Sequence, residues 1–219
     1  MLLEDFAIIN WAVDPSRVQP HLPPGFEPEE RSGTACVAMV AFRNHGFHFR
    51  AAPFARLSCG QADYRTFVRH GGERGVWFFG GSLSSRLVKV ATSLWKMPWH
   101  HDSIDIATSS AGDTGSQWRL AASGDWGAAT VALTTTGHAF DETTPLVGWY
   151  PRTDGGVGRY SVWHEPLQLR EAAVDLATCD VFERLGLIDK GQQPTGAGVQ
   201  RSVPFDVHTP PTNVTTSVA

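Results

Sequence analysis

The sequence predicts an α+β fold in which about nine antiparallel strands curve into a barrel or cone, with a few helices outside it. Three observations point there. Short apolar or alternating runs bounded by Gly, Asp and Pro recur along the chain, and 22 Gly and 14 Pro supply the turns. Only two segments of any length carry a helical period. Hydrophobic residues make up 42% of the 219 residues, with 8 Trp among them, enough for one sizeable core.

The elements follow in order. Residues 6–13 (FAIINWAV) read as a strand. Asp14-Pro15 then starts a short helix, with Asp as N-cap and Pro at the first helical position, and Pro23-Pro24-Gly25 cuts it short. The apolar run 34–42 (TACVAMVAF) suits a buried strand. Residues 43–53, with His45, Phe47, His48 and Phe49, read as a loop or lid. Residues 56–68 and 75–79 make a hairpin about His70-Gly71-Gly72. Residues 83–95 are expected to form the best helix. Leu83, Leu87, Val90, Ala91 and Leu94 give it an apolar stripe, opposite Ser85, Arg86, Lys89, Thr92 and Lys96. Strands at 103–109, 116–123 and 129–135, linked by AGDTG and SGDWG, form an antiparallel meander. Residues 141–147 read as a helical turn and 158–164 as a strand. Residues 170–185 read as a second helix ended by Gly186, 191–198 as a polar loop and 203–207 as a last strand. Residues 1–208 then form a single domain, and 209–219 a disordered tail.

Composition excludes several classes of function. The net charge of −4 lacks the basic face that nucleic acid requires. No apolar run approaches the roughly 18 residues of a membrane span. The segment MLLEDFAIIN has acids where a signal peptide has basic residues, so a cytoplasmic location is expected. Cys36, Cys59 and Cys179 are odd in number and far apart, which suits buried thiols better than disulfides or a zinc site. His45 and His48 lack a nearby acid or Cys, so no metal is assigned. The run GGSLSS lacks the GxSxG elbow, and GGERG sits in a hairpin rather than before a helix. His164, at a strand end, reads as a buried histidine bonded to backbone.

The order WAVDP…LPPGF (Trp11 to Phe26), YRTFV around Arg65, GVWFF, LWKMPW and SVWHEPLQL resembles the YqjF-like branch of the acetoacetate decarboxylase-like superfamily. The resemblance implies a cone or barrel of antiparallel strands about a closed pocket. In the decarboxylases it also implies a Schiff-base lysine activated by a second lysine after Phe-Pro. Here the matching positions read Met97-Pro98-Trp99-His100. The decarboxylase arginine falls on Ala12, and its acidic residue on Gln61. The residues agree independently. Of three lysines, Lys89 and Lys96 fall on a polar helix face and Lys190 in a polar loop, whereas a Schiff-base lysine must be desolvated or crowded by another cation.

The candidate site centres on one strand face shared by Gln61, Asp63, Arg65 and Phe67. Such groups either line a polar cavity or form an internal ion pair that holds the sheet together. In the cavity reading Arg65 clamps a carboxylate or enolate oxygen, and Asp63 orients it or acts as a base. His100 and His101 point to opposite faces of an extended segment, and His100, at the second lysine position, is taken as the inward proton shuttle. Trp99, Trp11 and Phe67 complete the substrate walls, with Gln61 as a polar contact. The expected function is a cofactor-free enzyme of lyase, isomerase or cyclase type, acting on a carbonyl-bearing or polyketide-like metabolite by non-covalent acid/base chemistry. The alternative is a non-catalytic binding protein for an apolar metabolite. A small molecule is the expected partner, and a homodimer is compatible with the reading.

Overall fold

Alternating apolar residues, punctuated by turns, build one large mixed sheet in the computed structural model, which describes residues 1–48, 57–110 and 114–214. Strand β1 (Leu2–Val13) is followed by α1 (Pro15–Val18), where the Asp14 carboxylate accepts from the Ser16 N–H at 2.8 Å, and by β2 (Phe26–Pro28). Next come β3 (Ala35–Phe47), β4 (Leu57–His70) and β5 (Glu73–Leu83). The turn between β4 and β5 uses Gly71 and Gly72 at φ 58° and 83°. Helix α2 (Val88–Trp95) leads to β6 (Trp99–His101), β7 (Ser103–Ser109), β8 (Gln117–Ser123) and β9 (Ala128–Glu142). The chain continues through β10 (Val147–Pro151), β11 (Val157–His164), β12 (Leu167–Cys179), α3 (Asp180–Arg184) and β13 (Gly196–Val214).

Pairing runs β1-β3-β4-β5-β10-β11-β13, and β13 also pairs with β1, so seven strands close on themselves. From β13 the sheet continues through β12, β9, β8 and β7. This wing folds back over the outer face of the ring, where the Trp118 indole N–H donates to the Asp5 carbonyl at 2.7 Å. The main core lies between ring and wing and contains Trp11, Tyr64, Trp77, Trp118, Leu133 and Phe182. A second apolar cluster, including Leu3, Phe6, Val40, Phe42, Leu169 and Val203, lies on the inner face.

Several expectations are corrected. The sheet has 13 strands rather than nine, and it is mixed, because β5 runs parallel to both β10 and β6. Residues 170–185 are mostly strand, with a helix of only five residues after it. Register shifts at Arg170/Ala172 and Val174/Leu176 explain the misreading. They place the core-facing residues at Leu167, Leu169, Ala172, Val174, Ala177 and Cys179, a spacing that imitates a helix. The principal helix is shorter than expected, and its stripe faces outward. Leu87, Val90 and Leu94 are 57%, 52% and 65% exposed, while Leu83 belongs to β5 and is buried. Residues 141–147 form no helical turn, since β9 runs to Glu142 and β10 begins at Val147. Strand β3 takes up the first part of the expected lid, to Phe47, and residues 49–53 of it lie outside the described residues. Strand β13 reaches Val214, into the stretch expected to be a disordered tail. No helix among the described residues is long and apolar enough to cross a membrane.

Candidate functional site

Every strand of the closed path contributes side chains to a cavity of about 110 Å³. From β4 come Gln61, Asp63 and Arg65, which alternate inward while Ala62, Tyr64 and Val68 join the outer core. Gln61 and Asp63 are 8% exposed. The Gln61 amide donates to both Asp63 carboxylate oxygens, at 2.9 Å each, and its own carbonyl accepts from Asn44 at 2.5 Å. Burial pushes the Asp63 carboxyl up to about 6, against the opposing pull of the Gln61 hydrogen bonds and the Arg65 charge.

Arg65 lies two residues on. Its Nε is buried and has no hydrogen-bond partner among the described residues. None of the ion pairs among those residues includes it. Phe67 lies 5.8 Å from the guanidinium, ring centroid to Cζ, and holds it from outside the cavity. Burial lowers the Arg65 pKa, but a guanidinium stays protonated at neutral pH. The site therefore holds a fixed cation with open donor capacity beside a carboxylate that titrates near 6.

The neighbouring strands leave room for these groups. Gly81 lies opposite Asp63 on one side and Trp99 on the other. A Cβ at Gly81 would stand 2.7 Å from Asp63 Oδ1 and 2.9 Å from the Trp99 ring, so the carboxylate and the indole close over bare backbone. Trp99 thus faces the cavity. His100 does not: it stacks on Trp126 at 4.6 Å and 14°, on the opposite face of β6. Its partial burial lowers its pKa, and nearby Asp102 raises it. His101 is exposed. The preference for His100 followed the motif alignment, and strand alternation gives the inward position to the residue before it.

Trp11 also lies elsewhere. It is fully buried in the outer core, edge-on to Phe182, and its indole N–H donates to the Gln192 carbonyl at 3.1 Å. The predicted residues thus divide. Gln61, Asp63, Arg65 and Trp99 converge on the cavity, whereas His100, Trp11 and Phe67 stand outside its lining.

Four polar lining residues fall outside the predicted site: Asn44, Thr144, Tyr160 and His164. Of these, His164 is read from the sequence only as a histidine bonded to backbone, a bond it does make to the Glu165 carbonyl. Tyr160 enters from β11 over Gly148, where a Cβ would stand 2.7 Å from its ring. Burial raises its phenol well above the ordinary value, so it acts as a hydrogen-bond donor at neutral pH. His164 and Thr144 also line the cavity and bond to each other at 2.9 Å. A usable signal was present: Tyr160, Val162 and His164 alternate along β11 as Gln61, Asp63 and Arg65 do along β4. None of the lysines belongs to the lining, which consists entirely of other residues.

A family model described as "Uncharacterized conserved protein (COG2071)", the domain of unknown function DUF2071, matches residues 1–201. The chain belongs to this YqjF-like family. Among curated proteins, none matches its sequence. The solved structures it resembles share the fold of the acetoacetate decarboxylase-like superfamily. The enduracididine biosynthesis enzyme MppR, complexed with pyruvate, superposes with a TM-score of 0.68 at 14% identity, over 95% of this chain and 87% of that one. An acetoacetate decarboxylase-like enzyme from Sphingomonas wittichii RW1 gives 0.68 at 14%, over 97% and 91%. Acetoacetate decarboxylase from Legionella pneumophila gives 0.65 at 12%, over 100% and 88%. At these identities the likeness defines the fold and leaves the chemistry to the residues of the DUF2071 chain itself.

Proposed function

We propose that this protein is a small-molecule enzyme that enolises a carbonyl-bearing acid by non-covalent acid/base catalysis. The observation that carries the reading is the Arg65 guanidinium beside Asp63 in the cavity, its buried Nε without a hydrogen-bond partner among the described residues. A buried donor left without a partner is costly unless a ligand completes it. A 2-oxo acid offers a carboxylate and an adjacent keto oxygen to the same fork. Asp63, ionised at neutral pH, takes a proton from the carbon beside the carbonyl, and the bonding electron pair moves onto the keto oxygen. Arg65 and the Tyr160 hydroxyl stabilise that oxygen, and Asp63 returns the proton to carbon. Isomerisation, dehydration and cyclisation beside a carbonyl can each proceed from the enolate so formed.

Three observations support a route without a Schiff base. Trp99 stands where the resemblance to the decarboxylases puts their first lysine, Lys89 and Lys190 are exposed, and Lys96 closes α2 in a left-handed conformation and is not part of the lining. MppR has been solved in complex with pyruvate and with the condensation product of pyruvate and imidazole 4-carboxaldehyde. These complexes support a 2-oxo acid as the first probe.

The test is exchange of the pyruvate methyl hydrogens in D2O, followed by proton NMR. The protein is expected to accelerate exchange. Asp63→Asn is expected to slow it, by as much as about 10²–10⁴-fold where no second base reaches the methyl group. Borohydride with pyruvate is expected to leave no covalent adduct. Undiminished binding and exchange in Arg65→Met would overturn the proposal. Pyruvate bound and recovered without exchange would favour the binding-protein alternative.

A further inference from the structure

Tyr160 and His164 project into the cavity from β11, which lies across the closed path from β4, with β5 and β10 between them. The His164 ring is fixed at both nitrogens. Nδ1 lies 2.7 Å from the Glu165 carbonyl, and Nε2 lies 2.9 Å from the Thr144 hydroxyl. A carbonyl only accepts, so Nδ1 carries the hydrogen. In the neutral ring Nε2 is then an acceptor, and the Thr144 hydroxyl donates to it. Phe205 stacks on the ring at 6.5 Å and 14°. Thr144 is 4% exposed and lines the cavity. A hydroxyl, an imidazole aligned to take its proton, and a third group orienting the imidazole are the elements of a proton relay. Nothing in the enolisation described above uses them.

We propose that Thr144 and His164 form a second proton relay into the cavity, facing the substrate from the side opposite Asp63. This rests on the acid/base reading of the same cavity and extends it. In the step, a hydrogen on the substrate carbon passes as a proton to Thr144 Oγ1, while the hydroxyl's own proton passes to His164 Nε2. The C–H electron pair becomes the enolate double bond, and charge collects on the keto oxygen held by Arg65. The imidazolium keeps its Nδ1–H bond to the Glu165 carbonyl, and reversal returns a proton to carbon. Burial and the Arg65 charge lower the His164 pKa, which keeps the ring neutral and ready to accept. Two such groups on opposite sides suit reactions that remove a proton on one face and deliver one on the other, such as tautomerisation or epimerisation beside a carbonyl.

The probe is 2-oxobutanoate, whose two C3 hydrogens lie on opposite faces of the carbonyl plane. In D2O, after subtraction of the uncatalysed rate, mass spectrometry distinguishes the singly from the doubly deuterated acid. The wild-type protein is expected to exchange both hydrogens. His164→Asn keeps a donor for the Glu165 carbonyl but has no Nε2, and Thr144→Val breaks the relay at its other member. Each is expected to stop at the singly deuterated acid, and continued exchange of the first hydrogen shows that the cavity is still formed. Asp63→Asn is expected to exchange only the hydrogen that the relay variants leave in place. Wild-type exchange of one hydrogen only, or double exchange in both relay variants, overturns the relay and leaves the enolisation standing. No exchange in the wild type overturns both.

Discussion

Asp63 shows what a single residue costs and does in this cavity. Burial pushes its carboxyl up to about 6 in the folded protein from an ordinary 3.8, so between those limits the folded state holds a proton that the unfolded state has released. Its contribution to stability is therefore fully present below about pH 4 and is lost as pH rises through about 6, a difference of about 3 kcal/mol. Asp63→Asn is expected to remove this part of the pH dependence. Urea unfolding at about pH 4 and pH 7.5 checks it: a stability difference between the two pH values as large as the wild type's would refute the assignment. The inward face of Gln61, Asp63 and Arg65 was legible because period-two alternation needs only one strand assignment. The place of His100 was not. It depended on the register of β6 against β5, which is set by the fit of Trp99 over Gly81 rather than by any local pattern.

Among the elements, α2 and β12 carry the lesson about periodicity. The apolar stripe of α2 satisfies the rule for a buried helix face, yet Leu87, Val90 and Leu94 meet water, while Val88 is 3% exposed. The reason lies at the ends. Leu83 is drawn into β5, and Met97 is buried in the cavity lining, so the helix between them turns on its side. Leu94→Ala is accordingly expected to change stability by no more than about 0.5 kcal/mol, the range for exposed sites. Leu133→Ala, in the outer core at 1% exposure, is expected to cost about 2–5 kcal/mol. Urea denaturation of the two variants compares them directly. A large loss for Leu94→Ala would mean that something covers the helix in solution. In β12 the two register shifts did the opposite, giving a strand the spacing of a helix. Hairpins with strong turn signals, such as β4–β5, and the meander β7–β8–β9 were legible, since their partners are adjacent in sequence.

At the scale of the whole molecule, long-range pairings dominate. The parallel β5–β10 contact spans about 70 residues and the β1–β13 contact about 200, and no local signal announces either. Folds of this kind close slowly because loop entropy is lost before the distant contacts form. Refolding from urea, followed by Trp fluorescence in a stopped-flow instrument, is expected to take from tenths of a second to seconds. Completion within microseconds would contradict a closure-limited path. The β1–β13 seam has a further consequence during synthesis. Until residues 196–214 have left the ribosome, the nascent chain holds an open trough whose walls, Leu3, Phe6, Val40 and Phe42, face water without Val203 and Phe205 across from them. The hollow that later shelters a ligand is at that stage an adhesive surface, so the demand for chaperones falls on the interval before the seam is made.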